Sequence, residues 1–340
     1  MKFRTNSLLR LALLAAVLAL LWGSQAATGL SQGEKNLWRT VRSAQEHLYG
    51  WRFPSGGGNA DDPWKTGLIG VEWSPTTTTL GELSAKRTAC DPLWAVRIAR
   101  WLDEAGLEPG DRVAILASSS FPGLVLSSIA AAESRGLETL LAVSLGASTW
   151  GANSPGHPWP AIERELRQAG FVRAKAAFYT LGGDGEEGGG LSAEGKALLE
   201  AAARSSGVPL RVPHGLQEAV TLKQEALQAF GPKFLISIGG SHANLGDDEA
   251  ILDLPPGLVF PAPGLRGGNG VLGQWLDSGR PALHLLAIEK LALKEKIPVD
   301  SPPRPWFASS SRTWAAVAGL ALFFGVLCTH RRWAWRDEDD

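Results

Sequence analysis

The sequence has 340 residues, with 33 Lys and Arg against 34 Asp and Glu, a formal net charge of −1 and two cysteines. This length, together with 44% hydrophobic and 20% charged residues, excludes a disordered tail and a disulfide-stapled mini-protein. The balanced charge disfavours a nucleic-acid-binding protein, because neutralising phosphates requires a clustered excess of Lys and Arg. We therefore expect a folded domain with no nucleic-acid partner.

The N-terminus combines a basic segment with an apolar run. Residues 1–10 contain three basic residues and no acidic residue, and residues 11–22 are apolar throughout. A run of this length is typical of a signal peptide, whereas its extension to residue 30 is just long enough to span a bilayer. The pattern predicts a membrane segment in residues 1–30 and leaves open whether it is a cleaved signal or an uncleaved anchor.

The C-terminus has the opposite order. Residues 314–328 are apolar, and Arg331, Arg332 and Arg336 follow them. Although a buried core helix is the alternative, we predict a transmembrane helix in residues 313–330 with a cytoplasmic tail in residues 331–340. Because basic flanks stay on the cytoplasmic side, the intervening part is expected to be extracytoplasmic and tethered to the lipid bilayer.

Between these ends we predict a helix and linker in residues 31–73, one α/β domain in residues 74–297 and a Pro/Ser-rich stalk in residues 298–312. Helical patterns in the domain alternate with short apolar strands. The predicted helices are 91–105, 124–132, 160–169, 192–204, 216–230, 271–276 and 288–295, and the predicted strands are 113–117, 139–144, 234–238 and short runs near residues 175, 209 and 282. This alternation predicts a three-layer α/β fold, with a mostly parallel sheet and helices on both faces.

Ligands of such sheets bind beyond the carboxyl ends of the strands, so the loops there are the candidate sites. The first of these loops contains Ser118, Ser119 and Ser120 and opens a helix at Pro122. Its hydroxyls are candidate nucleophiles, and the helix N-terminus would favour a carboxylate. The alternative is that one of the serines simply caps the helix.

A second loop, residues 239–248, contains His242, the best candidate for a general base. Ser241 and Asn244 beside it are candidate ligand-binding residues. Adding Asp247 or Asp248 to His242 gives no recognised metal-ligand spacing, so we expect no metal site.

A third loop, residues 144–155, is polar and rich in glycine. Its residues Ser148, Thr149, Trp150 and Asn153 are candidates for ligand binding, with packing within the turn as the alternative.

The remaining candidates are weaker. Lys86 and Arg87 could hold an anionic ligand, although a solvated surface is the usual place for such a pair. The glycine-rich segment 182–190 lacks the Gly-Lys-Ser/Thr of a phosphate loop and is expected to be a flexible surface loop. Residues 268–273 have the spacing of a dinucleotide-binding loop, but prolines before them break the required strand, so we expect no cofactor.

Several stretches resemble the poly-γ-glutamate system proteins, which accompany the bacterial machinery for capsule-type poly-γ-glutamate. They are residues 74–88, 117–137, 144–155, 236–246 and 284–300, with residues 148–153 and 285–290 the most specific. The resemblance implies a protein of the bacterial cell membrane that takes part in making, exporting or trimming an extracellular polymer of γ-linked glutamate. It implies no particular catalytic residues.

Two hypotheses of different class follow. The favoured one is a non-catalytic accessory protein that binds the polymer or its membrane synthase and export proteins. The alternative is an extracytoplasmic serine-type hydrolase or transferase acting on γ-glutamyl amide bonds, with Ser118, Ser119 or Ser120 as nucleophile and His242 as base. The alternative requires one of these serines to lie within hydrogen-bond reach of the imidazole, about 3 Å.

Overall fold

The computed structural model describes residues 30–304 and, beyond them, only residues 14, 16–18, 319 and 321–325. Residues 36–303 form one compact unit. The two predicted membrane segments lie almost wholly outside the described residues, as do the cytoplasmic tail and part of the stalk. In the described part of the chain, no helix is both long enough and apolar enough to cross a membrane.

The unit is an alternation of short strands and helices, as the sequence predicts. The strands are β1 (Thr77–Thr79), β2 (Arg112–Ser118), β3 (Glu138–Ser144), β4 (Ala147–Ser148), β5 (Ala176–Thr180), β6 (Gly182–Gly183), β7 (Glu187–Gly189), β8 (Phe234–Ile238), β9 (Gly257–Val259) and β10 (Ala282–Leu285). The helices are α1 (Gln32–Arg52), α2 (Leu83–Ala89), α3 (Leu93–Glu104), α4 (Pro122–Ser134), α5 (Trp159–Gln168), α6 (Ala193–Ser206), α7 (Leu216–Phe230), α8 (His242–Leu245), α9 (Val271–Asp277) and α10 (Ile288–Glu295).

Six strands form one sheet in the order β5-β3-β2-β8-β10-β9. All neighbours are parallel except β9, which runs antiparallel to β10 at the edge. The α/β class and the mostly parallel sheet are therefore confirmed. The chain first builds outward from β2 to β3 and β5 and then returns to place β8 on the other side of β2. This reversal is a topological switch point, where such sheets bind ligands.

The sheet is buried on both faces, which explains why its strands are continuous apolar runs. In β2, every residue from position 113 to position 118 is buried. One face packs on α7 and α9 through a cluster that includes Leu116, Leu235 and Trp275. Helix α4 contacts β2, β3 and β8 and lies outside that cluster. Successive strand residues point to opposite faces, so both layers of helices are anchored by the same short strands.

Some elements differ from the sequence prediction. Helices α7 and α10 have the predicted bounds, but α2 was not predicted, and the strand expected near residue 209 is a single bridge between Tyr179 and Leu210. The segment 182–190 is not a loose surface loop. It forms the short pair β6 and β7, and its Glu186 is fully buried.

A buried carboxyl group, that of Asp91, lies just before α3. Asp91 is 2% exposed, and its Oδ1 accepts the Leu93 N–H at 2.8 Å, but it lies one residue before the N-cap, which is Pro92 and makes no side-chain cap. Burial raises the pKa of the Asp91 carboxyl to about 7, and the hydrogen bond from Leu93 opposes this only in part. The folded state therefore binds a proton in a pH range in which the unfolded state has lost it.

We expect Asp91→Asn to stabilise the protein increasingly between about pH 4 and pH 7, because the wild type loses about 1.4 kcal/mol per pH unit in this window and the amide does not titrate. The amide oxygen can still accept the Leu93 N–H. Urea unfolding of both proteins at three pH values measures the difference. A difference that stays constant with pH would contradict the prediction.

Candidate functional site

A cavity of about 410 Å³ opens at the carboxyl edge of the sheet, beside the switch point between β2 and β8. Four of the loops predicted from the carboxyl-end rule line it, together with the segment from β1 to α2. The lining residues are 78–82, 85, 86, 118, 120, 121, 144, 146, 148, 183, 184 and 240–242. The predicted site residues can therefore be divided into those that line this cavity and those that do not.

The three serines after β2 have different environments. Ser118 and Ser120 line the cavity, and the Ser118 hydroxyl donates to Ser120 Oγ at 2.9 Å. Ser119 is fully buried and donates to the carbonyl oxygen of Leu145 at 2.6 Å, so its hydroxyl ties two loops together. Pro122 begins α4 as expected, but no serine caps the helix, since the N-cap is Phe121 and makes no side-chain cap.

Lys86 enters the cavity from α2. The side chain is buried, at 3% exposure, which contradicts the usual solvated surface for such a charge. Its Nζ donates to the carbonyl oxygen of Ser120 at 2.8 Å, lies 2.6 Å from Ser148 Oγ and sits 3.7 Å from the centre of the Phe121 ring. Burial lowers the pKa of the Lys86 ammonium to about 7, and a smaller effect of the nearby Cys90 opposes it.

Ser148 is held in place by strand pairing and by a hydrogen bond to the serine loop. It lies in β4, which pairs in parallel with β1, and its own N–H donates to Ser120 Oγ at 3.0 Å. Gly151 lets the loop approach the serine loop closely, because a Cβ there would lie 2.8 Å from the Cα of Ser120. The Ser148 hydroxyl is therefore fixed at the cavity wall beside Lys86.

The other candidates of this loop make structural contacts. Thr149 exchanges two hydrogen bonds with the backbone of Gly81, and the Trp150 indole N–H donates to Asp61 Oδ2 at 3.2 Å. Asn153 is fully buried and bonds to both backbone groups of Val71. These three residues are not among the cavity-lining residues, and they join the loop to the segment around β1.

The structure separates Arg87 from Lys86. The Arg87 guanidinium donates to the carbonyl oxygen of Asp61 at 2.8 Å and lies 3.4 Å from Asp300. Because successive helical residues point in different directions, only Lys86 reaches the cavity. The two residues do not form a joint anion site.

His242 also lines the cavity, at the start of α8. Its Nδ1 is 2.7 Å from Asp184 Oδ1 and 3.2 Å from the backbone nitrogen of Gly185. Ser118, Ser120 and His242 therefore line one cavity, but no hydrogen bond among the described residues joins the imidazole to either serine. The geometry places a lysine, and not the predicted histidine, against a serine hydroxyl.

A buried ion-pair network adjoins the cavity, and its members Ser144 and Ser241 also line the cavity. Glu186, at 0% side-chain exposure, accepts hydrogen bonds from Lys223 Nζ at 2.8 Å and from the hydroxyls of Ser144, Thr180 and Ser241. Burial alone would raise the pKa of Glu186, but the Lys223 ammonium and the hydroxyl donors lower it to about 2. The network joins the ends of β3, β5 and β8 to the glycine-rich segment.

The two predicted ligand-binding residues of the loop 239–248, Ser241 and Asn244, belong to this network. Ser241 accepts from Lys223 Nζ at 2.9 Å, and Asn244 accepts from the same nitrogen at 3.0 Å while donating to the carbonyl oxygen of Leu116. Glu186 and Lys223 themselves were missed by sequence reasoning. The available signal was a pair of acidic residues inside a glycine-rich segment, which is more often a solvated loop.

Comparison with known proteins adds no identification. No protein-family model matches the chain, and no curated protein matches it significantly. The resemblance to the poly-γ-glutamate system proteins therefore stays a prediction, and the functional argument depends on the cavity.

Proposed function

We propose that the chain is an extracytoplasmic accessory protein of poly-γ-glutamate synthesis or export, and that its cavity binds a γ-glutamyl unit of the polymer. The observation that carries this proposal is the hydroxyl-lined cavity at the switch point, with the single buried cation Lys86 in its wall. The family resemblance supplies the class of polymer, and the cavity supplies the binding chemistry.

The cavity fits one or two small units better than a long polyanion. A γ-linked unit presents one α-carboxylate and one amide carbonyl as acceptors. Lys86 Nζ can donate a hydrogen bond to one of these acceptors. The backbone N–H groups of Gly240 and Ser241 make no hydrogen bond within the described residues and are further donors. Glu82 and Asp184 in the lining would repel a continuous row of carboxylates. These features support local recognition of a chain segment or end.

The placement at the bacterial cell membrane is part of the same proposal. The apolar runs 11–22 and 314–328 with their basic flanks support a tether at each end, and the polymer would emerge on the side of the α/β domain. Binding of the synthase or export proteins would then bring the cavity close to newly made polymer.

Titration calorimetry of the full chain tests the binding. We expect a γ-linked glutamate tetramer to bind more tightly than an α-linked tetramer of equal charge, because the positions of carboxylate and amide differ between the two. Lys86→Met is expected to weaken binding by about tenfold or more at pH 6, where most of Lys86 carries its proton, since it removes a charge-assisted hydrogen bond.

Lys233→Met is the matched control. Lys233 is exposed and precedes β8 at the end opposite to the cavity. Its loss should leave the affinity unchanged. Equal binding of both tetramers, or a Kd for the γ-linked tetramer that does not respond to Lys86→Met, would contradict the proposal.

A further inference from the structure

Among the described residues two lysines are buried, Lys86 and Lys223, and their surroundings are opposite. Lys223 is neutralised by Glu186 at 2.8 Å, as expected for a buried charge. Lys86 has no carboxylate within ion-pair distance among the described residues, and its Nζ faces a hydroxyl, a carbonyl oxygen and an aromatic ring at the wall of an open cavity. A lysine with a purely structural role would be expected to have a counter-ion, as Lys223 does. The burial of Lys86 without one therefore needs another explanation.

A buried lysine without a counter-ion is available as a general base near neutral pH, because desolvation destabilises its charged form and leaves more of the amine neutral. The pKa of about 7 means that a large fraction of Lys86 is neutral at neutral pH. The neutral amine has a lone pair, and the nearest hydroxyl is Ser148 Oγ at 2.6 Å. A nucleophile and a base within hydrogen-bond reach are the arrangement that covalent catalysis requires.

We propose that Lys86 and Ser148 form a catalytic pair that transfers acyl groups from amides or esters bound in the cavity. The inference rests on the proposed function only in taking the cavity as the ligand site. It assigns a reaction to a protein whose proposed role needs none, and it uses neither the Ser118–Ser120 pair as nucleophile nor His242 as base.

The steps balance without a further reactant except water. Ser148 Oγ attacks the carbonyl carbon and passes its proton to Lys86 Nζ. The resulting ammonium returns that proton to the leaving nitrogen or oxygen, the bond from carbon to the leaving group breaks, and an acyl ester remains on Ser148. Water then attacks the ester carbon while Lys86 Nζ accepts its proton, and the resulting ammonium passes that proton to Ser148 Oγ as the bond from the acyl carbon to Ser148 Oγ breaks. The products are a carboxylic acid and the restored serine hydroxyl.

Neighbouring groups hold the pair in place. Besides its contact with Ser148, Lys86 Nζ donates a hydrogen bond to the carbonyl oxygen of Ser120, and the Ser120 hydroxyl accepts the Ser148 N–H. Ser120 is therefore a positioning residue for both members of the pair. The N–H groups of Gly240 and Ser241, residues of the cavity lining, make no hydrogen bond within the described part of the chain and could receive an oxyanion.

A fluorophosphonate probe tests the pair on the full chain in detergent, because it reacts with activated serines by forming a P–O bond and releasing fluoride. It needs no γ-glutamyl recognition. We expect the phosphonyl group on the peptide that contains Ser148, found by mass spectrometry. Ser148→Ala should abolish this adduct, and Lys86→Met should slow its formation by about 100-fold or more.

The matched control is Ser128→Ala. Ser128 is buried in α4, and its hydroxyl has no hydrogen-bond partner among the described residues. Labelling of this variant should equal that of the wild type. Lys86→Arg tests the role of the base separately, because it keeps a cation that does not lose its proton and should label as slowly as Lys86→Met.

The labelling rate should rise with pH to a plateau, with its midpoint near pH 7, since only neutral Lys86 accepts the proton. The titratable or charged groups facing the lysine are Cys90 after α2, Glu82 before α2, and Asp184 with His242 in the cavity lining. The midpoint should therefore persist in His242→Gln, whereas it should disappear in Lys86→Met.

Three results would overturn the inference: no adduct on the wild type, an adduct on another residue, or equal rates for wild type and Lys86→Met. If the probe labels Ser148 but the protein does not bind the γ-linked tetramer, the proposed substrate is contradicted and the catalytic pair is not. Tetramer binding without labelling would contradict the catalytic pair alone.

Discussion

Glu186→Gln is expected to lower the free energy of unfolding by about 3–5 kcal/mol, because it leaves the Lys223 ammonium buried at 2% exposure without a counter-charge. The amide keeps the shape of the carboxylate, so the loss reports the charge and not a cavity. Denaturant unfolding of the full chain measures it as a shift in the midpoint at constant slope.

The neighbouring Glu187→Gln is the control for this substitution. Glu187 is exposed, so its replacement should change stability by less than about 0.5 kcal/mol. The double variant Glu186→Gln, Lys223→Met should lose less free energy of unfolding than the two single variants lose together, because it leaves neither member of the pair buried without its partner. Additive single losses, or a loss below about 1 kcal/mol for Glu186→Gln, would show that the network is not a coupled ion pair.

Gly81→Ala is expected to slow fluorophosphonate labelling by about 100-fold with little change in stability. A Cβ at position 81 would lie 3.1 Å from Ser148 Oγ and 3.2 Å from Lys86 Cε, so the serine and the lysine must move apart or shift together. Small displacements of reacting groups cost large factors in rate, while the methyl group itself reduces the freedom of the unfolded chain.

Gly50→Ala provides the comparison for this prediction. Gly50 lies in α1, and a Cβ there meets nothing within 4 Å. The variant should label at the wild-type rate and be slightly more stable, as expected for alanine in a helix. Wild-type labelling in Gly81→Ala would mean that Ser148 and Lys86 are not held at the spacing on which the reaction depends.

The sequence predicted the fold where local pattern and burial agree. Strand β8 and helix α7 have their predicted bounds, because a buried parallel strand is an unbroken apolar run and a surface helix repeats every 3.6 residues. The edge strand β9 was missed, since its three residues follow two prolines and carry too little pattern. The cavity's position followed from strand order, through the rule for carboxyl ends.

The chemistry of the site was harder to predict. Lys86 was identified, but as half of an anion-binding pair with Arg87, because the sequence does not show which face of a seven-residue helix meets a loop 62 residues further along. Ser148 was a candidate for ligand binding without a base. Only tertiary contact brings these two residues together, whereas His242, the conspicuous base in the sequence, meets Asp184 instead.

The strand order also determines when the cavity can exist during synthesis. Strands β2 and β3 pair over a short separation, but the other edge of β2 receives β8 only after residues 234–238 have been synthesised and, with the proposed placement, translocated. Until then, an apolar edge strand is open to pairing with other chains. Chaperone protection of this nascent intermediate would therefore matter more for the yield of folded protein than the late docking of β9 at the outer edge.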